Sequence, residues 1–183
     1  LEAPAATVVA FTLSDSALKI GDTATVTLQF SEAVAGFSSD ADVTVQNGSL
    51  ATMTSSDNIT WTGTFTPSSD VEDATNVMSL ATSYTDTAGN AGPSATTDNY
   101  AVDTIRPTVA AFTMSDTALI SGETSTVTLQ FSEAVASFSS DDDITVQNGS
   151  LATMTSSDNI TWTGTFTPTS DVEDATNVLT LAT

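Results

Sequence analysis

The chain has no cysteine and no histidine, and only two cationic side chains, Lys19 and Arg106. Each absence closes a class of chemistry. Without cysteine there is no disulfide, no thiol nucleophile and no thiolate zinc site. Without histidine a Ser-His-Asp triad cannot be built. Without a basic surface nothing neutralises phosphate, so nucleic acid is excluded as a partner. Anionic membrane surfaces fall to the same argument of sign. No run approaches the roughly 18 apolar residues of a membrane helix, and the opening residues do not read as a signal peptide. What is abundant is acid. Asp and Glu number 23 and the net charge is −21, yet charged residues make up only 14% of the chain. Most of the polar surface must therefore be Thr, Ser, Asn and Gln. The apolar pattern is too regular for a disordered chain. Divalent cations are the natural counter-species for such a surface.

The strongest signal is internal repetition. TVTLQFSEAVAGFSSDAD at 25–42 returns as TVTLQFSEAVASFSSDDD at 126–143. NGSLATMTSSDNITWTGTFTP at 47–67 returns unchanged at 148–168. The offset is 101 residues without a gap, and 63 of the 76 positions from Thr7 to Thr82 match their partners. That period is one whole domain rather than a solenoid unit. The expected organisation is repeat 1 over 1–102, a short linker over 103–107, and repeat 2 over 108–183. Thr183 aligns with Thr82, so repeat 2 lacks the equivalent of 83–102. The chain is expected to be a segment of a longer array.

Apolar residues alternate with threonines, the period of half-buried strands. Val9, Phe11 and Leu13 are expected on one face of a first strand, and Val26, Leu28 and Phe30 on one face of a second. Val43 and Val45 mark a third. Asn47-Gly48 reads as a hairpin turn into a fourth strand at 49–53. Ile59, Trp61 and Phe65 mark a fifth. Met78, Leu80 and Tyr84 mark a sixth, and 95–102 forms a seventh. About seven antiparallel strands in a hundred residues predict an all-β fold of tandem Ig-like sandwiches. The antibody hallmarks are missing, since there is no disulfide and Trp61 falls on the fifth strand. Strand parity places loops 31–42, 54–58 and 85–94 at the N-terminal pole. Loops 14–23, 47–48 and 67–76 fall at the opposite pole.

TATVTLQFSEAV, TWTGTFTP, SYTDTAGNAG and VDTIRPTV, in that order, resemble bacterial Ig-like repeats. Such repeats build the extender regions of giant, type I secreted, biofilm-associated cell-surface adhesins. The resemblance covers nearly the whole chain. It implies an extracellular position on the bacterial cell surface and a non-enzymatic spacer role. The partners it implies are neighbouring repeats of the same chain, with any cell-surface or host ligand bound elsewhere in the parent protein. It also implies calcium at or near domain junctions. Ile105 and Arg106 depart from the small or apolar residues common in such linkers.

Catalysis finds little support. Lys19 has Ile120 as its repeat partner, and the paired carboxylates lie in loops without an evident cleft. The four Asn-x-Ser/Thr sites, at Asn47, Asn58, Asn148 and Asn159, read as turn residues. The carboxylates remain as candidate metal ligands, since calcium takes six to eight oxygens from several loops. At the pole of repeat 1 the candidates are Glu32, Asp40, Asp42 and Asp86, with Glu2 as an addition. At the junction they are Asp103, Glu133, Asp141 and Asp143, with Asp70, Glu72 and Asp73 nearby in sequence. Asp15 and Asp116 are a second-rank possibility. The competing reading is a set of solvated acidic turns that keep a β protein soluble and its edges unpaired. Two further functions stay open. One is a ligand-binding Ig-like module for glycan or protein, for which Phe37 and Phe138 in the long pole loop are the aromatics to watch. The other is a subunit of a surface layer or filament.

Overall fold

A computed structural model describes residues 4–182. The chain divides into two compact units, Leu1–Arg106 and Pro107–Thr183. Unit 1 runs β1 (Val8–Leu13), β2 (Ala17–Lys19), β3 (Ala24–Phe30), β4 (Val34–Ala35), the single turn α1 (Ser39–Asp42), β5 (Val43–Thr44), β6 (Gly48–Leu50), β7 (Thr60–Pro67), β8 (Glu72–Asn76), β9 (Ser79–Leu80), β10 (Thr85–Asp86), β11 (Ala95–Thr96) and β12 (Tyr100–Asp103). One layer is a four-stranded sheet in the order β1-β3-β7-β6. The facing layer is broken into β11-β9-β5, β2-β12-β8 and the pair β10-β4. All pairings in unit 1 are antiparallel except β2 with β12, which is parallel.

The predicted alternation builds the core. Val26, Leu28 and Phe30 of β3 and Phe65 of β7 are fully or almost fully buried. Met78, Leu80, Tyr84, Tyr100 and Val102 join them in one apolar cluster. Phe65 meets Tyr100 edge-on at 5.2 Å between ring centroids, and Phe30 meets Tyr84 at 5.4 Å. Burying rings of this size is the main favourable term in a domain this small.

Three details correct the sequence reading. The register of β1 against β3 slips between Val8 and Ala10. A bulge of this kind adds one residue to one strand and reverses side-chain parity. Val8 therefore packs on the core, while Val9 is 61% exposed. Second, Asn47-Gly48 is not a hairpin. β5 pairs with β9, whereas β6 pairs with β7, so the chain changes layers at this corner. Asn47 adopts the left-handed φ of 49° that asparagine tolerates. At Gly48 an added Cβ lands 2.2 Å from the Phe65 ring, so only glycine lets the corner close over that side chain. Third, β2 and β8 were not foreseen. Both form as neighbours of β12.

Unit 2 repeats the first layer with β13 (Val109–Met114), β14 (Ser125–Phe131), the turn α2 (Ser140–Asp143), β15 (Ile144–Val146), β16 (Gly149–Leu151), β17 (Thr161–Pro168) and β18 (Leu179–Leu181). Its sheets are β13-β14-β17-β16 and β15-β18. Val127, Leu129, Phe131, Ile144, Met154 and Phe166 form its core. The expected linker belongs partly to unit 1. Asp103 closes β12, and the Thr104 hydroxyl, almost fully buried, donates to Ser68 O at 2.7 Å. The boundary falls between Arg106 and Pro107, where proline has no N–H to extend a ladder.

Candidate functional site

The acidic loops are the chemistry-bearing part of the chain. At the N-terminal pole of unit 1 the predicted loops do meet. The Thr7 N–H donates to Ser31 Oγ at 2.9 Å and the Val34 N–H to Asn58 O at 3.0 Å. The carboxylates there, however, turn to separate protein donors. Asp86 is 2% exposed. It accepts the N–H groups of Ala88 at 2.9 Å and Asn90 at 2.8 Å, and the Asn90 side-chain amide at 2.7 Å. The Asn90 amide leads in holding its carboxyl below the usual carboxylate range, against the opposing effect of burial. Asp86 thus staples the turn Asp86–Asn90 shut.

Asp42 is also buried. It accepts the Ser38 N–H at 2.8 Å and a short hydrogen bond from the Ser83 hydroxyl. Asp40 is exposed and turns to the Thr52 hydroxyl at 3.0 Å. Glu32 is half-buried. Among the described residues no three carboxylates form a group able to hold a metal ion. The expected convergence of Glu32, Asp40, Asp42 and Asp86 is therefore not built. Asp40 and Asp42, two positions apart on the turn α1, are drawn to different donors, Thr52 for the first and Ser38 and Ser83 for the second. Glu2 lies outside the described residues.

Unit 2 places the partners of this set in the same way. Asp143 accepts the Ser139 N–H at 2.9 Å, and Asp141 accepts the Thr153 hydroxyl at 2.9 Å. Glu133 is half-buried, and Asp142 is exposed. Asp103, in unit 1, is exposed and stands in register between Lys19 and Glu72. Asp15 and Asp116 each cap their own turn, accepting the N–H two residues on at 2.9 Å. Asp70 takes a left-handed turn conformation with φ 57°. Asp73 accepts from the Asn47 amide at 2.9 Å and the Thr75 N–H at 2.9 Å. Calcium takes six to eight oxygens from several groups at once, and among the described residues no three of these carboxylates converge to supply them.

Sequence reasoning missed one repeated acid. Asp57 accepts the N–H groups of Ile59 at 2.9 Å and Thr60 at 3.0 Å. These bonds, Thr60 foremost, hold its carboxyl below the ordinary value, and Asp158 behaves alike in unit 2. The signal was the Ser-Ser-Asp-Asn turn in both copies, legible as an Asx turn. The four asparagines of the sequons all adopt positive φ, between 49° and 58°. They are turn residues, as the sequence suggested.

The loop aromatics are packed inward. Phe37 is buried and meets Phe30, Trp61 and Tyr84 edge-on, at 4.9 Å from Trp61. Phe138 meets Phe131 and Trp162, again at 4.9 Å from the indole. Both indole N–H groups are buried without a hydrogen-bond partner among the described residues. The T-shaped contacts give the rings a favourable quadrupole arrangement. Tyr84 donates to Pro93 O at 2.7 Å. Burial first, and then the Asp42 charge, push its hydroxyl up to about 12.

Two sandwiches with a four-stranded front sheet, and turns capped by their own acids, are what a repeated Ig-like module provides. Both copies match the family model of the bacterial Ig-like domain, over residues 1–102 and 103–183. The chain belongs to the bacterial Ig-like domain family. No curated protein matches it. Bacterial Ig-like domains are typically non-enzymatic and are often found in surface proteins. No helix among the described residues is long and apolar enough to cross a membrane.

Proposed function

We propose that this pair of bacterial Ig-like domains is a non-enzymatic spacer in the extender region of a large surface adhesin. It stands outside the cell and holds a ligand-binding region of its parent protein away from the surface. The observation that carries the reading is repetition. Two near-identical sequences fold into separate compact units, and most of their 13 differences fall at exposed or half-buried positions. A spacer needs length and solubility, which repetition and a −21 charge supply. The inward packing of Phe37 and Phe138 supports this reading over a ligand-binding module, because an aromatic recognition platform needs exposed rings.

Calcium enters the proposal as a counter-ion that stiffens the array by screening its acidic surfaces. No step in the spacer role is routed through a resident ion. The test is small-angle scattering and thermal melting of this chain with calcium and with chelator, joined to a glycan-array screen. Higher melting temperature and larger maximum dimension in calcium are expected, with no glycan bound. Unchanged values in both states remove the calcium part alone. Saturable glycan binding by the chain overturns the spacer reading itself.

A further inference from the structure

Asparagine precedes glycine at two places in the chain, Asn47-Gly48 and Asn148-Gly149. In this dipeptide no side chain shields the glycine nitrogen, which is free to attack the neighbouring carboxamide. The corner between β5 and β6 demands both residues. Asn47 sits at φ 49°, a region asparagine tolerates and most residues avoid. A Cβ at Gly48 would land 2.2 Å from the Phe65 ring and 2.7 Å from Thr66 O. Gly149 is held alike against Phe166. Packing therefore installs a chemically labile dipeptide at one fixed corner of each unit.

The same fold holds the reactive carboxamide. The Asn47 amide donates to Asp73 Oδ2 at 2.9 Å and to Asn76 Oδ1 at 2.6 Å. Both acceptors belong to β8. Asn148 repeats the pair, donating to Asp174 at 3.0 Å and to Asn177 at 2.6 Å. Turning the carboxamide toward the glycine nitrogen breaks both bonds. Other asparagines are placed differently. The nitrogen after Asn58 is that of Ile59, which donates to Asp57 at 2.9 Å. The nitrogen after Asn76 is that of Val77, which donates to the Gln46 side chain at 2.8 Å. Those nitrogens are occupied, and their branched side chains obstruct ring closure.

We propose that Asn47 is a self-modification site, gated by opening of its corner, with water as the co-reactant. Hydroxide removes the Gly48 N–H proton. The nitrogen then bonds to Asn47 Cγ, the bond from Cγ to the carboxamide nitrogen breaks, and ammonia leaves with a proton from water. Water opens the resulting succinimide at either carbonyl, leaving aspartate or isoaspartate. The product does not fit the closed corner. An amide that donated two hydrogen bonds becomes a carboxylate that only accepts. It faces the Asp73 carboxylate, and like charges this close repel. The Asn76 amide cannot turn to it without leaving Asp73 O and Tyr100 O. Isoaspartate also lengthens the main chain beside the Phe65 ring. Modification therefore detaches β8 from the corner, and the change runs one way.

The test incubates the intact chain at pH 8.5 beside a free peptide of residues 43–52, with mapping by mass spectrometry. Val43 against Ile144 separates the fragments of the two copies. The peptide is expected to deamidate at least tenfold faster than Asn47 in the folded chain, because only the opened corner reacts. Asp73→Ala, shown to be folded by circular dichroism, raises the rate at Asn47 at least threefold and leaves Asn58 unchanged. Asn47→Asp melts below Asn47→Gly at pH 7, since glycine loses the bonds without adding a charge. Equal rates in peptide and folded chain overturn the gate. A chain that keeps Asn47 intact while the peptide is fully converted, with Asp73→Ala as without it, overturns the site. An Asn47→Asp melt at or above that of Asn47→Gly overturns the one-way product.

Discussion

Asparagine 76 and its repeat partner Asn177 form a built-in control for what burial does to a hydrogen-bond network. The Asn76 side chain accepts from the Asn47 amide at 2.6 Å. It donates to Asp73 O at 2.9 Å and to Tyr100 O at 3.0 Å. Asn76→Ala removes all three bonds from a site that is 1% exposed. At about 0.5–1.5 kcal/mol net for each bond, the loss is roughly 2–4 kcal/mol. For a unit near a hundred residues, each kcal/mol lowers the melting temperature by about 4–8 °C. The expected shift of unit 1 is therefore on the order of 10–25 °C. Asn177 keeps two of the bonds, from Asn148 at 2.6 Å and to Asp174 O at 2.8 Å, but is exposed. Water replaces those partners, so Asn177→Ala is expected to cost under about 1 kcal/mol, or at most a few degrees. Scanning calorimetry of the full chain reads both, because each variant moves the transition of its own unit. Equal shifts in the two variants, or an Asn76→Ala shift below about 5 °C, would refute the reasoning that burial by β12 sets the difference.

Gly48→Ala is expected to destabilise unit 1 by about 2 kcal/mol or more, because the new methyl meets a fully buried Phe65 ring and the Thr66 carbonyl. A thermal melt of the variant checks it, and Gly149→Ala does the same to unit 2. In alkali, the raised Tyr84 pKa contributes stability that is complete below the unfolded value of about 10. That stability is lost as pH rises through about 12. Absorbance titration near 295 nm should show this transition in unit 1, which holds both tyrosines of the chain. In acid, the lowered Asp86 carboxyl acts in the opposite direction. The stability gap between the parent chain and Asp86→Asn should be full above the ordinary aspartate value of 3.8 and close as pH falls below it, read by denaturant melts at pH 7, 5, 3 and 2.

The acidic loops show how far spacing alone carries a site. Asp40 and Asp42 are two positions apart in both copies' pattern, and sequence places them in a pole loop. It does not reveal that one is buried against Ser38 and Ser83 while the other faces Thr52. Which donor a carboxylate finds depends on segments 10 to 40 residues away. Local turns are a different matter. Asp57, Asp15 and the sequon asparagines act within two or three residues. Their roles follow from side-chain length and backbone tolerance, so the sequence carries them.

By itself the sequence determined the repeat, the all-β class, the front-sheet core and the exclusion of thiol, histidine and phosphate chemistry. Composition and period are local quantities, and they need no partner to be read. The tertiary structure alone decided parity at the β1 bulge, the change of layer at Asn47-Gly48, and the fate of one identical segment. Glu72–Asn76 and residues 173–177 share the sequence EDATN, yet only the first is a strand. The segment has no apolar alternation of its own. Its strand form in the first unit rests on hydrogen bonds from β12.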